Sequence, residues 1–174
     1  MKQKILIKLL DPNCAPVVNE KGDWYDLKAA KEYNFYGPKA ETLKKQGSEK
    51  YRRVEFAKAL IHLGVAIKLP KGYEAIVVPR SSTFKNFKLL QTNHIGIIDN
   101  SYCGNKDEWM MPVVALEEGR VSQYDRVCQF RIQLSQKATL WQKIKWLFTN
   151  GVKFVFVDDL KSSERGGFGS TGIK

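Results

Sequence analysis

Seven short apolar segments, each closed by a breaker, constrain this chain more than any other feature. They are KILIKLL (4–10), ALIHLGVAIKL (59–69), YEAIVVP (73–79), HIGIID (94–99), MPVVAL (111–116), RVCQFRIQL (126–134) and VKFVFV (152–157). Val, Ile and Phe are frequent in them and Gly, Pro or Asn separate them, as pleated, half-buried strands require. The expected class is all-β, a barrel or distorted jelly roll rather than an alternating βαβ sheet. A length of 174 residues suits one such domain with a core of its own.

Two stretches depart from that pattern. Residues 37–55 are polar and lysine-rich, with helical propensity but no clean apolar face, and read as an insertion. Residues 136–150 hold a second insertion, in which ATLWQKIKWLFT (138–149) sets Trp141, Ile144, Leu147 and Phe148 at helical spacing with lysines elsewhere. That spacing predicts a short amphipathic helix whose apolar side packs on the barrel or on a partner. Both insertions offer a surface to another protein.

Lysine and arginine outnumber aspartate and glutamate 29 to 18, so DNA, RNA and nucleoside phosphates are all admissible partners. The basic run 39–58 reads as a solvated surface, and net charge alone does not choose among polyanions. No apolar run approaches the ~20 residues of a membrane span, and the lysine-interrupted MKQKILIKLL reads as a first strand, not a signal peptide. Cys14, Cys103 and Cys128 are odd in number and form no CxxC pair. That argues against a disulfide framework or a zinc site and for a reducing cytoplasm.

The chemistry-bearing residues come in five clusters. WYDLKAA holds Asp26. PRSS (79–82) sets Arg80, Ser81 and Ser82 at a strand exit. QTNHIGIIDNSYCG (91–104) carries Asn93, Gly96, Ile98, Asp99 and Tyr102. DRVCQF (125–130) carries Gln129, and RGGFGSTG (165–172) ends the set. Within the last, Gly167, Gly169 and Gly172 spell G-x-G-x-x-G, but only Ile173 and Lys174 follow. A dinucleotide loop needs a helix and an acidic residue about 20 positions on, so that reading fails here. A P-loop also fails, since no lysine precedes the hydroxyl residues.

In order, spacing and residue type, the five clusters resemble the motifs of the trimeric dUTP diphosphatase (dUTPase) family, from roughly residue 5 to 172. The resemblance is strongest at PRSS, GIIDNSYCG and SERGGFGSTG. It implies hydrolysis of dUTP to dUMP and pyrophosphate, with Asp99 as the general base for water attacking the α-phosphorus. It implies that Tyr102 lies against the deoxyribose and that Asn93 meets the uracil edge beside backbone groups from Gly96 to Ile98. Arg80, Ser81, Ser82 and Gln129 are then phosphate contacts. Asp26 becomes an outer-shell carboxylate acting through water on Mg2+, an ion held mainly by the triphosphate. The tail, residues 165–174 beyond a barrel domain of 1–164, becomes a flexible lid. Phe168 would stack on uracil, Gly169 would let the backbone approach, and Arg165, Ser170 and Thr171 would hold the γ-phosphate. A homotrimer is implied as well, in which the phosphate motifs, the Asp–Tyr motif and the tail at one site come from three different chains; no membrane partner is expected, and nucleic acid is a weaker expectation than dUTP.

The chain departs from the family at Asp23-Trp24-Tyr25-Asp26, where Ala-Gly usually precedes the aromatic, and at Cys128, usually alanine. NKDEWMM (105–111) is longer than the usual connection. Rival readings are a dCTP deaminase, which shares the fold and the RSS loop but carries a glutamate near GIIDNSY, and a catalytically silent binding protein. Zinc deaminases fail for want of H-x-E and P-C-x-x-C. His62 and His94 have core or turn roles.

Overall fold

The computed structural model describes residues 2–18, 22–44 and 50–167. In chain order it contains β1 (Gln3–Leu9), β2 (Val17–Val18), β3 (Tyr25–Lys28), β4 (Tyr33–Phe35), β5 (Lys39–Lys44), β6 (Lys50–Glu55), β7 (Lys58–His62) and β8 (Val65–Lys68). These are followed by β9 (Tyr73–Pro79), α1 (Thr83–Phe87), β10 (Leu89–Gln91), β11 (Gly96–Asp99), β12 (Met110–Ala115), β13 (Gly119–Val121), β14 (Arg126–Leu134), α2 (Leu140–Leu147) and β15 (Val152–Phe156). Every segment expected as a strand contains one, and the all-β jelly-roll class holds.

The sheet that matters most for function runs β11-β9-β14-β3-β2, antiparallel throughout. Two three-stranded sheets, β15-β1-β8 and β10-β12-β7, complete the walls. In β9 and β12 alternation sends one face inward: Tyr73, Ala75 and Val77 from β9, and Met111, Val113 and Ala115 from β12. An aromatic knot closes the centre. Phe130 packs edge-on to Trp109 at 5.2 Å and tilted against Tyr25 at 5.4 Å, and Phe154 meets Tyr25 at 4.7 Å. Trp109 lies in the long 105–111 connection, so that connection is anchored to the core.

The described residues of the 37–55 insertion are mostly extended. They form the antiparallel pair β5–β6, from Lys39 opposite Glu55 to Lys44 opposite Lys50. A helix there would have had no apolar stripe to bury, whereas the pair gives each strand a hydrogen-bonding partner along its inner edge. Opposite charges also face each other at Lys39–Glu55 and Glu41–Arg53.

The predicted helix is present as α2, opened by a capping box in which Thr139 Oγ1 accepts from Gln142 N and the Gln142 amide accepts from Thr139 N. Its docking face differs from the one the apolar spacing suggests. Trp146 packs edge-on to Tyr73 at 5.5 Å, and Gln142 donates to Lys71 O at 2.6 Å. These two residues, four apart, share one side of the helix. Trp141 and Leu147 stay 79% and 80% exposed. The Gln142 amide fits only because residue 72 is glycine: φ is +82°, and a Cβ there would lie 2.3 Å from Oε1. No described helix is long and apolar enough to cross a membrane.

Candidate active site

A cavity of about 260 Å³ opens where β11 ends against β9. Gln91, Asn93, Gly96, Ile98, Asp99, Tyr102 and the start of the tail, Arg165 to Gly167, line it. Asn93, Gly96, Ile98, Asp99, Tyr102 and Arg165, all named from sequence, therefore meet in one place.

Asp99 is the last residue of β11, and the chain turns there, with Tyr102 N donating to Asp99 O at 3.2 Å. Its Oδ1 accepts from Ser101 N at 2.7 Å and from the Ser101 hydroxyl. Its Oδ2 accepts from the Arg165 guanidinium at 2.9 Å. Burial pushes the carboxyl upward, but the Ser101 hydrogen bonds and the Arg165 charge outweigh it and hold Asp99 below its ordinary value. The group is thus ionised at neutral pH, with Oδ1 held by Ser101 and Oδ2 by Arg165. Tyr102 is fixed by its hydroxyl, which donates to Glu108 O at 2.8 Å. Gly167 lies flat on the ring, so close that a Cβ would sit 2.9 Å from Cε2.

Asp107 was not visible as a site residue in the sequence. It is 2% exposed, and its carboxylate accepts from Gly104 N at 2.8 Å, Arg165 N at 3.0 Å and Gly166 N at 3.0 Å. Burial raises this carboxyl, and the backbone donors of Gly104, Arg165, Gly166 and Cys103 overcome that and lower it. Asp107 therefore clasps the root of the tail onto the pocket. Its only sequence signal was the extra length of NKDEWMM. Gln91, at the pocket floor, was missed as well.

The expected phosphate contacts form a second cluster. Asp26 on β3 accepts from Arg80 Nε at 3.0 Å and from Arg126 at 3.2 Å. Gln129 on β14 stands opposite Asp26 in the sheet and donates to Pro79 O at 3.3 Å. Thr83 ties down the turn carrying Arg80, Ser81 and Ser82, accepting from Arg80 N and donating to Val127 O. Cys128 is fully buried here, and burial, then the Asp26 charge, keeps its thiol protonated. The Cys14 thiol is likewise pushed up to about 11, first by burial and then by Asp11. All three cysteines are free.

The two clusters lie at opposite ends of β9. Asp99 pairs with Glu74 near its start, and Arg80 follows Pro79 at its end. Six steps along the chain, at about 3.3 Å each, take Glu74 to Arg80, about 20 Å. None of Asp26, Arg80, Ser81, Ser82 or Gln129 lines the Asp99 cavity. Both oxygens of Asp26 are engaged by arginines, and no group of three His, Cys, Asp or Glu among the described residues could hold a metal. His62 bonds Glu108 at 2.7 Å, and His94 turns the chain at φ 53°. Phe168, Gly169, Ser170 and Thr171 lie outside the described residues.

No protein-family model matches the chain. It is 42% identical over 172 residues to the SPbeta prophage-derived deoxyuridine 5'-triphosphate nucleotidohydrolase YosS of Bacillus subtilis (strain 168), covering 98% of this chain and 99% of that one. It is 32% identical over 176 residues to the deoxyuridine 5'-triphosphate nucleotidohydrolase of Escherichia phage T5, covering 98% and 99%. Among solved structures, the dUTPase of Streptococcus mutans superposes with a TM-score of 0.60 at 19% identity, over 76% of this chain and 98% of that one. A mutant dUTPase from phage phi11 of S. aureus, described as coordinating a structural Mg(II) ion, gives 0.58 at 19% identity, over 78% and 94%.

Proposed function

We propose a mechanism from one premise: this chain belongs to the deoxyuridine 5'-triphosphate nucleotidohydrolase family, and it hydrolyses dUTP to dUMP and pyrophosphate. The observation that carries the mechanism is Asp99, held by Ser101 and Arg165, on the wall of the cavity that Asn93, Gly96, Ile98 and Tyr102 also line. Asp99 accepts a proton from water as that water attacks the α-phosphorus. The bond from the α-phosphorus to the bridging oxygen breaks, and pyrophosphate leaves. Tyr102, pinned by Glu108, lies against the sugar, where a fixed ring leaves no space for a 2′-hydroxyl. Asn93 and the backbone from Gly96 to Ile98 meet the base.

Arg165 holds Asp99 in the free chain. Contact with the γ-phosphate would draw the guanidinium away and free the carboxylate as substrate arrives. The residues after it, Phe168 to Thr171, would complete a lid that excludes water. A charge-neutralising Mg2+ fits best as an ion carried in on the triphosphate, since Asp26 is already occupied by two arginines and suits only a contact through water.

A single chain keeps its base about 13 Å of strand from Gln129, which stands opposite Val78, and about 20 Å from Arg80. That separation supports a homotrimer in which each site takes Asp99, Tyr102 and Asn93 from one chain and Arg80, Ser81 and Gln129 from another. In the single chain the root of the tail lies against its own cavity; in the trimer that the resemblance implies, the tail would reach each site from a third chain. Incubation with magnesium and dUTP, dCTP or UTP, with products resolved, tests the reading. Deamination of dCTP, or no turnover of dUTP, would overturn it.

A further inference from the structure

We infer that Gln91 fixes the hydrogen-bonding polarity of Asn93, and through it selects a carbonyl over an amino group on the base that enters the cavity. The inference rests on the reading of this cavity as the uracil site.

Gln91 ends β10 and is 6% exposed in the cavity floor. Its amide nitrogen donates twice, to Val77 O at 3.2 Å and to Asn93 Oδ1 at 2.8 Å. The first contact settles the orientation of Gln91, because a main-chain carbonyl can only accept. The second hydrogen of the same nitrogen then demands an acceptor, so Asn93 must turn Oδ1 toward it. Reversing Asn93 alone would set two NH2 groups against each other. Reversing both amides would set Gln91 Oε1 against the Val77 carbonyl. A backbone atom therefore locks both amides in sequence, and the donor Nδ2 of Asn93 is what remains for the cavity.

A pyrimidine's position 4 is where this polarity matters. Uracil carries a carbonyl acceptor there and cytosine an amino donor. A locked donor bonds the first and meets the second with like polarity, which is discrimination by an unfavourable contact as much as a favourable one. The amide has a cost that an apolar residue would avoid. Gln91 Oε1 is buried without a partner among the described residues, and an unmet buried acceptor is unfavourable. The orientation of Asn93 is the compensating return that the geometry offers.

The test compares kcat/KM for dUTP and dCTP in the full-length protein and in Gln91→Met, which keeps the volume and removes both donors. Free to rotate, Asn93 could present either amide atom. The dUTP-to-dCTP preference should fall by about tenfold or more, roughly the effect of one neutral hydrogen bond. Most of that fall should come from improved dCTP use. Asn93→Asp supplies a second variant on an exposed position, useful if Gln91→Met does not fold. One carboxylate oxygen would still take the Gln91 donor and the other would face the base as an acceptor, so the preference should fall further and dUTP should suffer most. An unchanged preference in folded Gln91→Met, or in Asn93→Asp, overturns the polarity relay while leaving dUTP hydrolysis intact. Absence of dUTP turnover in the parent protein would instead remove the functional reading, and the relay with it.

Discussion

Replacing Asp107 with asparagine should release the tail from the cavity without unfolding the barrel. The carboxylate spreads its acceptors over Gly104 N, Arg165 N and Gly166 N, with one oxygen nearer Gly104 and the other nearer Gly166. An amide keeps one oxygen and puts an NH2 group where the second stood, so one of those backbone donors must face another donor. Hydrogen bonds to a buried charged group contribute about 1.5–3 kcal/mol each. Losing about 2 kcal/mol from the arm side shifts its docked-to-undocked ratio about 30-fold. Hydrogen exchange at the amides of Arg165 and Gly166 reads this directly, and dUTP turnover should fall with it. In a chain truncated before Arg165 the same substitution should change turnover no further, because the arm it acts through is gone. The pH dependence has a fixed sign. Asp107 is held below its ordinary value of 3.8 in the folded chain, so its stabilisation is full above that value and is lost as pH falls through the lowered one. Protection of the arm should therefore be flat from neutral pH down to about 4 and collapse in stronger acid. A change in exchange of less than about threefold at both amides, against the 30-fold expected from the hydrogen bonds lost, would refute the clasp.

Asp99→Asn should bind dUTP but turn it over at least about 100-fold more slowly, since an amide cannot take the proton; isothermal calorimetry beside a turnover assay checks both halves. Asp99→Asn chains and Ser81→Ala/Gln129→Ala chains, each weakly active as pure assemblies, should regain activity when co-refolded, because some mixed sites take each intact half from a different chain. Confirmed co-assembly with no regain would sink the shared site. Trp146→Ala should lower stability by about 1–3 kcal/mol, less than a full core truncation because the ring is only partly buried, and leave kcat/KM for dUTP unchanged; urea denaturation beside kinetics decides this.

Eight strands, β1, β7, β8, β9, β11, β12, β14 and β15, were legible because a period of two with Val, Ile and Phe at breaker-bounded spacing is a local property, whereas β2 to β6, β10 and β13 lay outside the marked segments. The helix at 140–147 was legible for the same reason, in its spacing and its Thr139 cap. Local pattern could not say which side of that helix would dock, since the side with Trp146 and Gln142 is chosen by Tyr73 and the gap left at Gly72, residues about 70 positions away in the chain. It marked 37–55 as a polar insertion but gave no strand pattern there, and the pairing of β5 with β6 appears only in the structure. The residue types at Asp99, Tyr102, Asn93 and Arg165 marked a site in the sequence alone. Their meeting in one cavity, the clasp at Asp107 and the amide chain from Val77 through Gln91 to Asn93 exist only in three dimensions. Sequence sets what each side chain can donate or accept, whereas a hydrogen bond needs a partner at about 3 Å, and for these residues that partner is supplied by a different strand or by the returning tail.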